Sequence, residues 1–351
     1  MSDVESILPA STGRIATANE VAKLAGVSTA TVSRVFNKVG NISAGRVDRV
    51  LAAASQLGYV PHAAARTLAS RRSRLVGAII PTIENPNFGR AIEALQRVLT
   101  DNGYTLLLGS SGYDGQKETQ QVRALVSQGV DAIVWVGNLH HPETIEFLQR
   151  YKVPFVNIWV HDGEHPCVGF DNKDAGQMVA NYLLDLGHEI IGVIAGVTHN
   201  NDRASLRVSG IREALEKRGM ALPKEMLIER PYRIIEGQIG FRALIESRPV
   251  PTAIICGNDI LAFGALLEAG RLGFSVPADI SIAGFDDLEF SGALSPSLTT
   301  IRIDAEQIGI RTAEHILRVM AGTPVAKSTM IPISLIVRGS TAPPTRKIMQ
   351  T

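Results

Sequence analysis

Several features are scarce in this sequence of 351 residues, and each scarcity excludes a class of protein. Only two cysteines occur, Cys167 and Cys256, so the chain has no disulfide framework and no cysteine metal cluster. No apolar run reaches the roughly 18 residues that span a bilayer, and the N-terminus lacks the basic start and apolar stretch of a secretory signal. We therefore expect a cytoplasmic protein with no membrane partner.

Motifs of nucleotide-dependent and hydrolytic enzymes are also missing. Neither the GxxxxGK[ST] phosphate loop nor the GxGxxG dinucleotide loop occurs, and the run GSSG at 109–112 lacks the spacing of a nucleophile elbow. The histidines at 140, 141, 161 and 165 lack the helical i, i+4 pairing of a metal site, apart from His161 and His165 in a loop with glycine and proline. The sequence therefore predicts no enzyme activity, no metal and no cofactor.

Charge is distributed unevenly along the chain. Residues 13–74 contain ten basic and two acidic side chains, whereas the residues after them contain 25 basic and 30 acidic side chains. A compact basic segment joined to an acidic one is typical of a module that binds a polyanion. The alternative is a solvated basic surface without a partner.

The basic segment has the pattern of three short helices. The spacing of Thr17 and Glu20 predicts a capping box, followed by Val21, Leu24 and Ala25 at helical spacing and by Gly26 as a stop. Ser28 is a predicted N-cap for a second helix with Val32, Val35 and Phe36 inside, and Ser43 for a third helix. The third helix carries its apolar residues on one side, at Val47, Val50, Leu51, Ala54 and Leu57.

Two short helices joined by a tight turn, with a third closing the core, form the helix-turn-helix plan. The second helix would lie in the major groove, where its small hydroxyls suit phosphate and base contacts and Arg34 suits guanine or phosphate. The alternative is a small helical bundle with another role. A further alanine-rich stretch at 62–70 is too short to be a stable helix alone, and it predicts a hinge that orders only on a partner.

The runs EVAKLAGVSTATVSRVFN and LGYVPHAAARTL resemble the N-terminal part of LacI-type bacterial transcription regulators, and the resemblance extends to about residue 340. It implies a homodimer on a pseudo-palindromic operator, with paired hinge helices that insert Leu68 into the minor groove. The expected DNA contacts are Thr17, Ser28, Thr29, Ala30, Thr31, Ser33, Arg34, Asn37 and Leu68. The expected divisions are a flexible extension at 1–16, a DNA-binding domain at 17–61, a hinge at 62–74 and a core at 75–351.

From Leu75 onward, short apolar runs alternate with amphipathic segments of helix length. The apolar runs include 75–80, 105–108, 132–136, 154–158, 190–194, 253–256 and 280–285, and the helical segments include 88–101, 115–128, 172–186, 204–218, 235–247, 258–271 and 304–320. This alternation predicts an α/β core of doubly wound parallel sheets in two similar lobes, with ligands bound beyond the carboxyl ends of the strands.

The resemblance implies a periplasmic-binding-protein-like core whose chain crosses between lobes near residues 172, 302 and 330. The N-lobe would then comprise about 75–171 and 303–330, and the C-lobe about 172–302 and 331–345. It also implies five effector-binding residues, namely Phe88 against an apolar ligand face, and Asp171, Arg207, Asn258 and Asp286 on hydroxyls or a carboxylate. Trp135, Trp159 and Tyr232 are candidate aromatic walls.

Each effector-binding residue has a structural alternative. Phe88 could belong to the core, Arg207 could form a surface ion pair, and the two aspartates and Asn258 could cap helices. These alternatives stay open at the level of sequence.

Three classes of function fit this organisation: a ligand-controlled repressor, a solute-binding protein for uptake, and a sugar or nucleotide enzyme. The missing signal segment and the basic N-terminal part disfavour the second class, and the missing catalytic motifs disfavour the third. The segments GYDGQKETQ, HHPETIEFL and PCVGFDNKDAGQM resemble the gluconate-responsive subgroup of LacI-type regulators. We therefore expect a repressor of transcription whose effector is a small sugar or sugar acid, such as gluconate.

Overall fold

The computed structural model describes residues 16–37, 40–60, 72–161, 163 and 165–345. The chain divides into two units, Met1–Arg74 and Leu75–Thr351. Residues 1–15 of the expected extension, the expected hinge helix at 62–70 and Leu68 within it lie outside the described residues. Among the described helices, none is long and apolar enough to cross a membrane.

Three helices form the first unit: α1 (Ala18–Ala25), α2 (Thr29–Asn37) and α3 (Ala44–Gln56). The predicted capping box starts α1, because Thr17 Oγ1 accepts the Glu20 N–H at 3.3 Å and Glu20 Oε2 accepts the Thr17 N–H at 2.7 Å. Gly26 ends this helix with a φ of 64°, the left-handed conformation that glycine adopts at low cost. The predicted cap of α3 is only partly confirmed, since Ser43 occupies the N-cap position without a side-chain cap bond.

The core of this unit is small and built on valine and alanine. Val21, Val32 and Val50 are fully buried, and Ala25 and Ala54 lie beside them. The prediction that Leu24, Leu51 and Leu57 lie on the buried side is wrong, because each is between a third and a half exposed. The alanines let the helices approach closely, so the buried stripe is narrow and leaves these leucines at its edge.

The second unit contains two six-stranded sheets, and the first sheet is parallel throughout. In chain order, its strands are β1 (Leu75–Ile80), β2 (Thr105–Ser110), β3 (Ala132–Val136), β4 (Phe155–Ile158), β5 (Cys167–Gly169) and β11 (Ser328–Met330). Their order across the sheet is β11-β5-β4-β3-β1-β2. The accompanying helices are α4 (Pro86–Asp101), α5 (Gly115–Ser127), α6 (Pro142–Arg150) and α12 (Ala305–Met320). We call this part the N-lobe.

The second sheet, with its helices, forms the C-lobe. Its strands are β6 (Ile191–Gly196), β7 (Leu227–Arg230), β8 (Ala253–Cys256), β9 (Ser281–Asp286), β10 (Thr299–Ile303) and β12 (Ile333–Ile336), in the order β12-β10-β9-β8-β6-β7. All neighbours are parallel except β12, which is antiparallel to β10. The helices are α7 (Asn172–Asp185), α8 (Asp202–Glu216), α9 (Ile234–Glu246), α10 (Asp259–Arg271) and the short α11 (Glu289–Ala293).

The chain passes between the two lobes at three places. It leaves the first sheet after β5, returns from the second sheet after β10, and leaves the first sheet again after β11. Helix α12 therefore packs on α4 of the N-lobe, although it follows a strand of the C-lobe. The predicted fold class, a small helix-turn-helix unit followed by a two-lobed core of doubly wound parallel sheets, is confirmed.

Helices α7 and α8 pack so closely that glycine is required at their contact. A Cβ atom on Gly210 of α8 would overlap the carbonyl of Lys173, and one on Gly176 of α7 would overlap the carbonyl of Arg207. This contact places Arg207, which points from α8, at a defined position relative to the start of α7.

We expect Gly210→Ala to lower the free energy of unfolding by about 1–3 kcal/mol, because a backbone carbonyl cannot move aside as a side chain can. Urea denaturation of the purified protein measures this change. Gly270→Ala is the matched control, since Gly270 lies in a helix with open space around it and alanine should there be neutral or stabilising by up to about 1 kcal/mol. Equal effects of the two substitutions would contradict the close helix contact.

Candidate functional site

The exposed face of α2, with Ser28 just before it, carries five of the nine candidate DNA contacts. Ser28, Thr29, Ala30, Ser33 and Arg34 are exposed, whereas Val32 and Val35 point into the core. A short helix that shows small hydroxyls and a cation to solvent is free to approach a groove and its phosphates.

The remaining candidate contacts differ in their surroundings. Thr31 is half-buried, and Ser28 Oγ accepts its N–H at 3.2 Å. The hydroxyl of Thr17 donates to Glu20 at 2.8 Å, so its first role is to hold the start of α1. Asn37 is the last residue of α2, and Leu68 lies outside the described residues.

The second candidate site lies in the cleft between the lobes, where the carboxyl ends of both parallel sheets meet. Phe88 is in the first turn of α4 in the N-lobe, while Asp286 ends β9 and Arg207 projects from α8 in the C-lobe. Asn87, next to Phe88, donates its side-chain N–H to the backbone oxygen of Asp286 at 3.0 Å. The structure therefore brings together Phe88 and Asp286 from opposite lobes, as an effector site requires.

Arg207 forms no direct ion pair, although the carboxyl of Asp286 lies near enough to interact with its charge. Its Nε donates to Asn172 Oδ1 at 3.0 Å, its Nη1 donates to the Gly257 carbonyl at 2.9 Å, and its guanidinium lies 3.6 Å from the centre of the Phe285 ring. Within the part of the chain that the structure describes, no carboxylate forms an ion pair with it. Burial lowers the pKa of Arg207, but an arginine stays charged at neutral pH.

Asp286 is the acidic counterpart of Arg207 in the cleft. Burial raises the pKa of its carboxyl to about 7, although the nearby Arg207 acts in the opposite direction. Its Oδ2 accepts from Asn85 Nδ2 of the N-lobe at 3.5 Å. Near neutral pH the group is therefore divided between the neutral acid, which can donate a hydrogen bond, and the carboxylate, which only accepts.

Two of the five candidate residues act as helix caps. Asp171 Oδ1 accepts the N–H groups of Lys173 and Asp174 at 2.7 and 3.1 Å, and Asn258 Oδ1 accepts that of Leu261 at 2.9 Å. Asp171 nevertheless lines an interlobe cavity of about 460 Å³. The neighbour of Asp171, Asn172, holds Arg207 and also donates to the Trp159 carbonyl at 2.8 Å. Sequence reasoning missed Asn172, because both residues are common at helix starts.

The candidate aromatic walls have different positions. Trp159 meets Phe88 edge to face with ring centres 4.8 Å apart, and both rings are buried. Trp135 is also fully buried, but it stacks on His140 at 3.6 Å within the N-lobe. Its assignment as a cleft wall is therefore wrong, because all five residues of β3 are enclosed by the layers on both faces of the sheet.

Tyr232 faces a tyrosine that the sequence analysis did not identify. Its ring centre lies 6.1 Å from that of Tyr113, which has a φ of 63° in the loop after β2. Burial, with the nearby Tyr232, raises the pKa of Tyr113 above its ordinary value, so the phenol stays protonated. Tyr113 and Tyr232 come from different lobes and can both offer a ring face and a hydroxyl to a ligand.

A polar bridge crosses the cleft beside these residues. Asp202 Oδ2, at the start of α8, accepts the N–H of Asn138 from the N-lobe at 2.5 Å, and its Oδ1 pairs with Arg203 Nη1 at 2.7 Å. Cavities of about 240 and 460 Å³ open on either side of this bridge. Among the described side chains, no group of three or more histidines, cysteines, aspartates or glutamates could hold a metal ion.

Comparison with known proteins gives matches for both units of the chain. A family model of bacterial regulatory proteins of the lacI family matches residues 17–62, and one of a periplasmic binding protein-like domain matches residues 180–341. The transcriptional regulator GntR of Pseudomonas aeruginosa is 35% identical, over 94% of this chain and 96% of that protein. The transcriptional repressor CytR of Escherichia coli is 32% identical, over 93% of this chain and 96% of that protein.

A solved structure is also similar over nearly the whole length. The lac repressor dimer bound to operator and the anti-inducer ONPF is 27% identical, with a TM-score of 0.83, and the match covers 94% of this chain and 100% of that one. That complex contains the three kinds of partner predicted here: operator DNA, a small molecule and a second copy of the chain. The named relatives are transcriptional regulators and repressors, and neither name is that of an enzyme. This chain belongs to the LacI family of bacterial regulatory proteins.

Proposed function

We propose that this chain is a cytoplasmic repressor whose dimer binds operator DNA and whose DNA affinity is controlled by a small sugar acid, such as gluconate, held between the lobes. In this proposal, residues 17–61 bind DNA, residues 62–74 form the hinge with Leu68 as the minor-groove wedge, and residues 75–351 bind the effector. The residues that α2 presents to the major groove include Thr29, Ser33 and Arg34.

The observation that carries the proposed effector class is the unpaired cation in the cleft. Arg207 is positioned by Asn172, Gly257 and Phe285, and none of these partners neutralises its charge. A desolvated charge that forms no direct ion pair is costly, so an anionic ligand gains a bond that Asp286, which is partly protonated near neutral pH, does not make. A carboxylate also matches the planar geometry of a guanidinium.

The rest of the cleft suits a polyhydroxylated chain. Asp286 and Asn87 offer polar groups from both lobes, and the half-buried ring of Tyr232 offers a surface for C–H groups, whereas the ring of Phe88 is buried against Trp159. A ligand that contacts both lobes favours the arrangement in which the two sets of groups are close together, and such a preference is what couples ligand binding to DNA affinity.

We expect Arg207→Gln to weaken D-gluconate binding by roughly 10- to 100-fold, because it removes a charge-assisted hydrogen bond of about 1.5–3 kcal/mol. Isothermal calorimetry of the purified protein against D-gluconate, ribose, galactose and purines tests the ligand class and the variant together. Arg311→Gln, an exposed arginine on α12, is the control for loss of one positive charge. Binding of a neutral sugar by the wild type, with D-gluconate silent, would refute the sugar-acid effector.

The affinity for D-gluconate should fall as the pH rises through about 7. Asp286 loses its proton in this range, and the new carboxylate repels the carboxylate of the ligand, which is ionised throughout. The expected decrease is up to about tenfold between pH 6 and pH 8, since one proton is linked to binding. Calorimetry at four pH values measures it, and Asp286→Asn should give a flat profile. A rising wild-type profile would contradict this role of Asp286.

On the DNA side, we expect Arg34→Ala to weaken operator binding about tenfold or more. It should also reduce the slope of log affinity against log salt concentration by about 1, the value for one lost phosphate contact. Gel-shift titrations at several salt concentrations, with DNA from upstream of the coding sequence, provide both quantities. Arg311→Ala removes the same charge from the core and should change neither. An unchanged affinity and salt slope for Arg34→Ala would exclude this contact.

A further inference from the structure

The turn that follows β9 has an unusual backbone. Asp286 has a φ of 119° and Asp287 a φ of 50°, so two consecutive residues with side chains lie in the region that glycine prefers. Such conformations persist only where the surroundings impose them, and they concentrate at functional sites. The first of the two residues is the acidic group of the effector cleft, and the second is held by contacts of its own.

The carboxylate of Asp287 is held by two arginines. Its Oδ2 accepts from Arg302 Nε at 2.6 Å, and its Oδ1 accepts from Arg338 Nη2 at 2.6 Å. The Asp287 side chain is only 8% exposed, so these ion pairs are shielded from solvent on the side of the acid. Both oxygens are engaged in short charge-assisted bonds, which fix the direction of the carboxylate.

The backbone of the same turn is anchored separately. The N–H of Asp287 donates to Thr300 Oγ1 at 3.4 Å, and the N–H of Leu288 donates to Asp259 Oδ2 at 2.9 Å. Thr300 in turn donates to Asp259 Oδ1 at 2.6 Å. These bonds tie the turn to β10 and to the start of α10, so the turn can relax only if the ion pairs of Asp287 and these bonds give way together.

The two arginines lie near the places along the chain where it enters and leaves the N-lobe. Arg302 lies in β10, three residues before α12 begins, and Arg338 lies two residues after β12, which follows the return from the N-lobe. Arg338 also donates to the Leu298 carbonyl at 2.7 Å. The carboxylate of Asp287 therefore joins β10, which leads into the N-lobe, to the segment after β12, which follows the return to the C-lobe. This connection lies directly beside the ligand-facing Asp286.

Space for movement exists on the N-lobe side of this arrangement. Asp287 and Arg302 line a cavity of about 440 Å³ together with Arg90 and Arg97 of α4. Arg302 is half-exposed there, so a shift of the N-lobe relative to the C-lobe can change its surroundings without disturbing the core.

We propose that Asp287 is a positioning residue for the effector site: with Arg302 and Arg338, it holds Asp286 in its ligand-facing orientation and ties that orientation to the segments that cross between the lobes. This inference rests on the proposed function, in which Asp286 contacts the effector. Asp287 itself does not touch the ligand, and its effect on binding passes through the turn.

The test uses the full-length protein with Asp287→Asn, Asp287→Gly, Arg302→Gln and Arg302→Lys, and with Arg311→Gln as the control for an exposed arginine in an ion pair. D-gluconate affinity is measured by calorimetry, and operator affinity by gel shift without ligand. Both Asp287 variants and Arg302→Gln should lose about tenfold in D-gluconate affinity, as expected for one charge-assisted bond, while operator affinity changes less than about twofold. Arg302→Lys keeps the charge and should restore most of the loss.

The glycine variant distinguishes two roles of Asp287: positioning of the turn by its carboxylate, and tolerance of a positive φ by its backbone. Glycine removes the strain at a φ of 50° and also removes both ion pairs. If Asp287→Gly binds D-gluconate as the wild type does, the proposal is overturned. It is equally overturned if the Asp287 variants lose operator and D-gluconate binding in parallel, because that result indicates a structural role only.

A second measurement is independent of the effector. If the wild type does not bind D-gluconate, the proposed effector is wrong, and hydrogen exchange then decides whether the ion pairs hold the turn. Exchange in a peptide covering 284–291 should become at least about tenfold faster in Asp287→Asn, because the turn loses its two ion pairs and then opens more often, which exposes the amides at 287 and 288 although their acceptors Thr300 and Asp259 remain. A peptide covering β6 in the same sheet should be unchanged, and equal exchange at 284–291 in variant and wild type would overturn the proposal.

Discussion

The positive charge of Arg207, in the cleft between the two lobes, is the constraint on which the arrangement of the cleft depends. The guanidinium of Arg207 is desolvated by its position, and the protein compensates with a carbonyl, an amide oxygen and the face of an aromatic ring instead of a carboxylate. Each of these partners stabilises the cation without neutralising it. The close contact of α7 with α8, which needs glycine at two positions, keeps Arg207 beside Asn172 at the start of α7. The packing of α7 on α8 in the C-lobe thus fixes the position of the positive charge in the cleft.

The two lobes contribute unequal parts to this cleft. The C-lobe supplies the charged groups, Arg207 and Asp286, whereas the N-lobe supplies Phe88 and hydrogen-bond donors such as Asn87 and the backbone of Asn138. A few hydrogen bonds connect the lobes here, and each net bond is worth about 0.5–1.5 kcal/mol. That is the same order as the 1–3 kcal/mol by which effectors usually shift regulatory equilibria. Contacts of this strength hold the lobes in one arrangement without making it permanent.

Sequence patterns predicted those elements whose physics is local. The capping box of Thr17 and the long apolar strands are set by neighbouring residues, and both occur where expected. The strands Cys167–Gly169, Leu227–Arg230, Thr299–Ile303, Ser328–Met330 and Ile333–Ile336 were not among the predicted apolar runs, because each is very short or is interrupted by polar residues. Sequence patterns also did not identify the residue that contacts Arg207. Asp171 and Asn172 are equally plausible caps of α7, and only the rotation of the helix about its axis decides which of the two faces Arg207.

Tyr113 and Asp287 show why the remaining site residues needed the structure. Each has a positive φ and lies in a loop, so its direction is set by tertiary contacts and not by the period of a helix or strand. The strain at Asp286 and Asp287 is held by charges that arrive from β10 and from beyond β12, residues 15 and 51 positions away along the chain. A conformation that costs energy locally and is maintained from both crossing segments is stable only while those segments keep their spacing. In the proposed function, in which Asp286 faces the effector, this acid responds to the arrangement of the lobes, and by reciprocity a ligand that binds the acid acts on that arrangement.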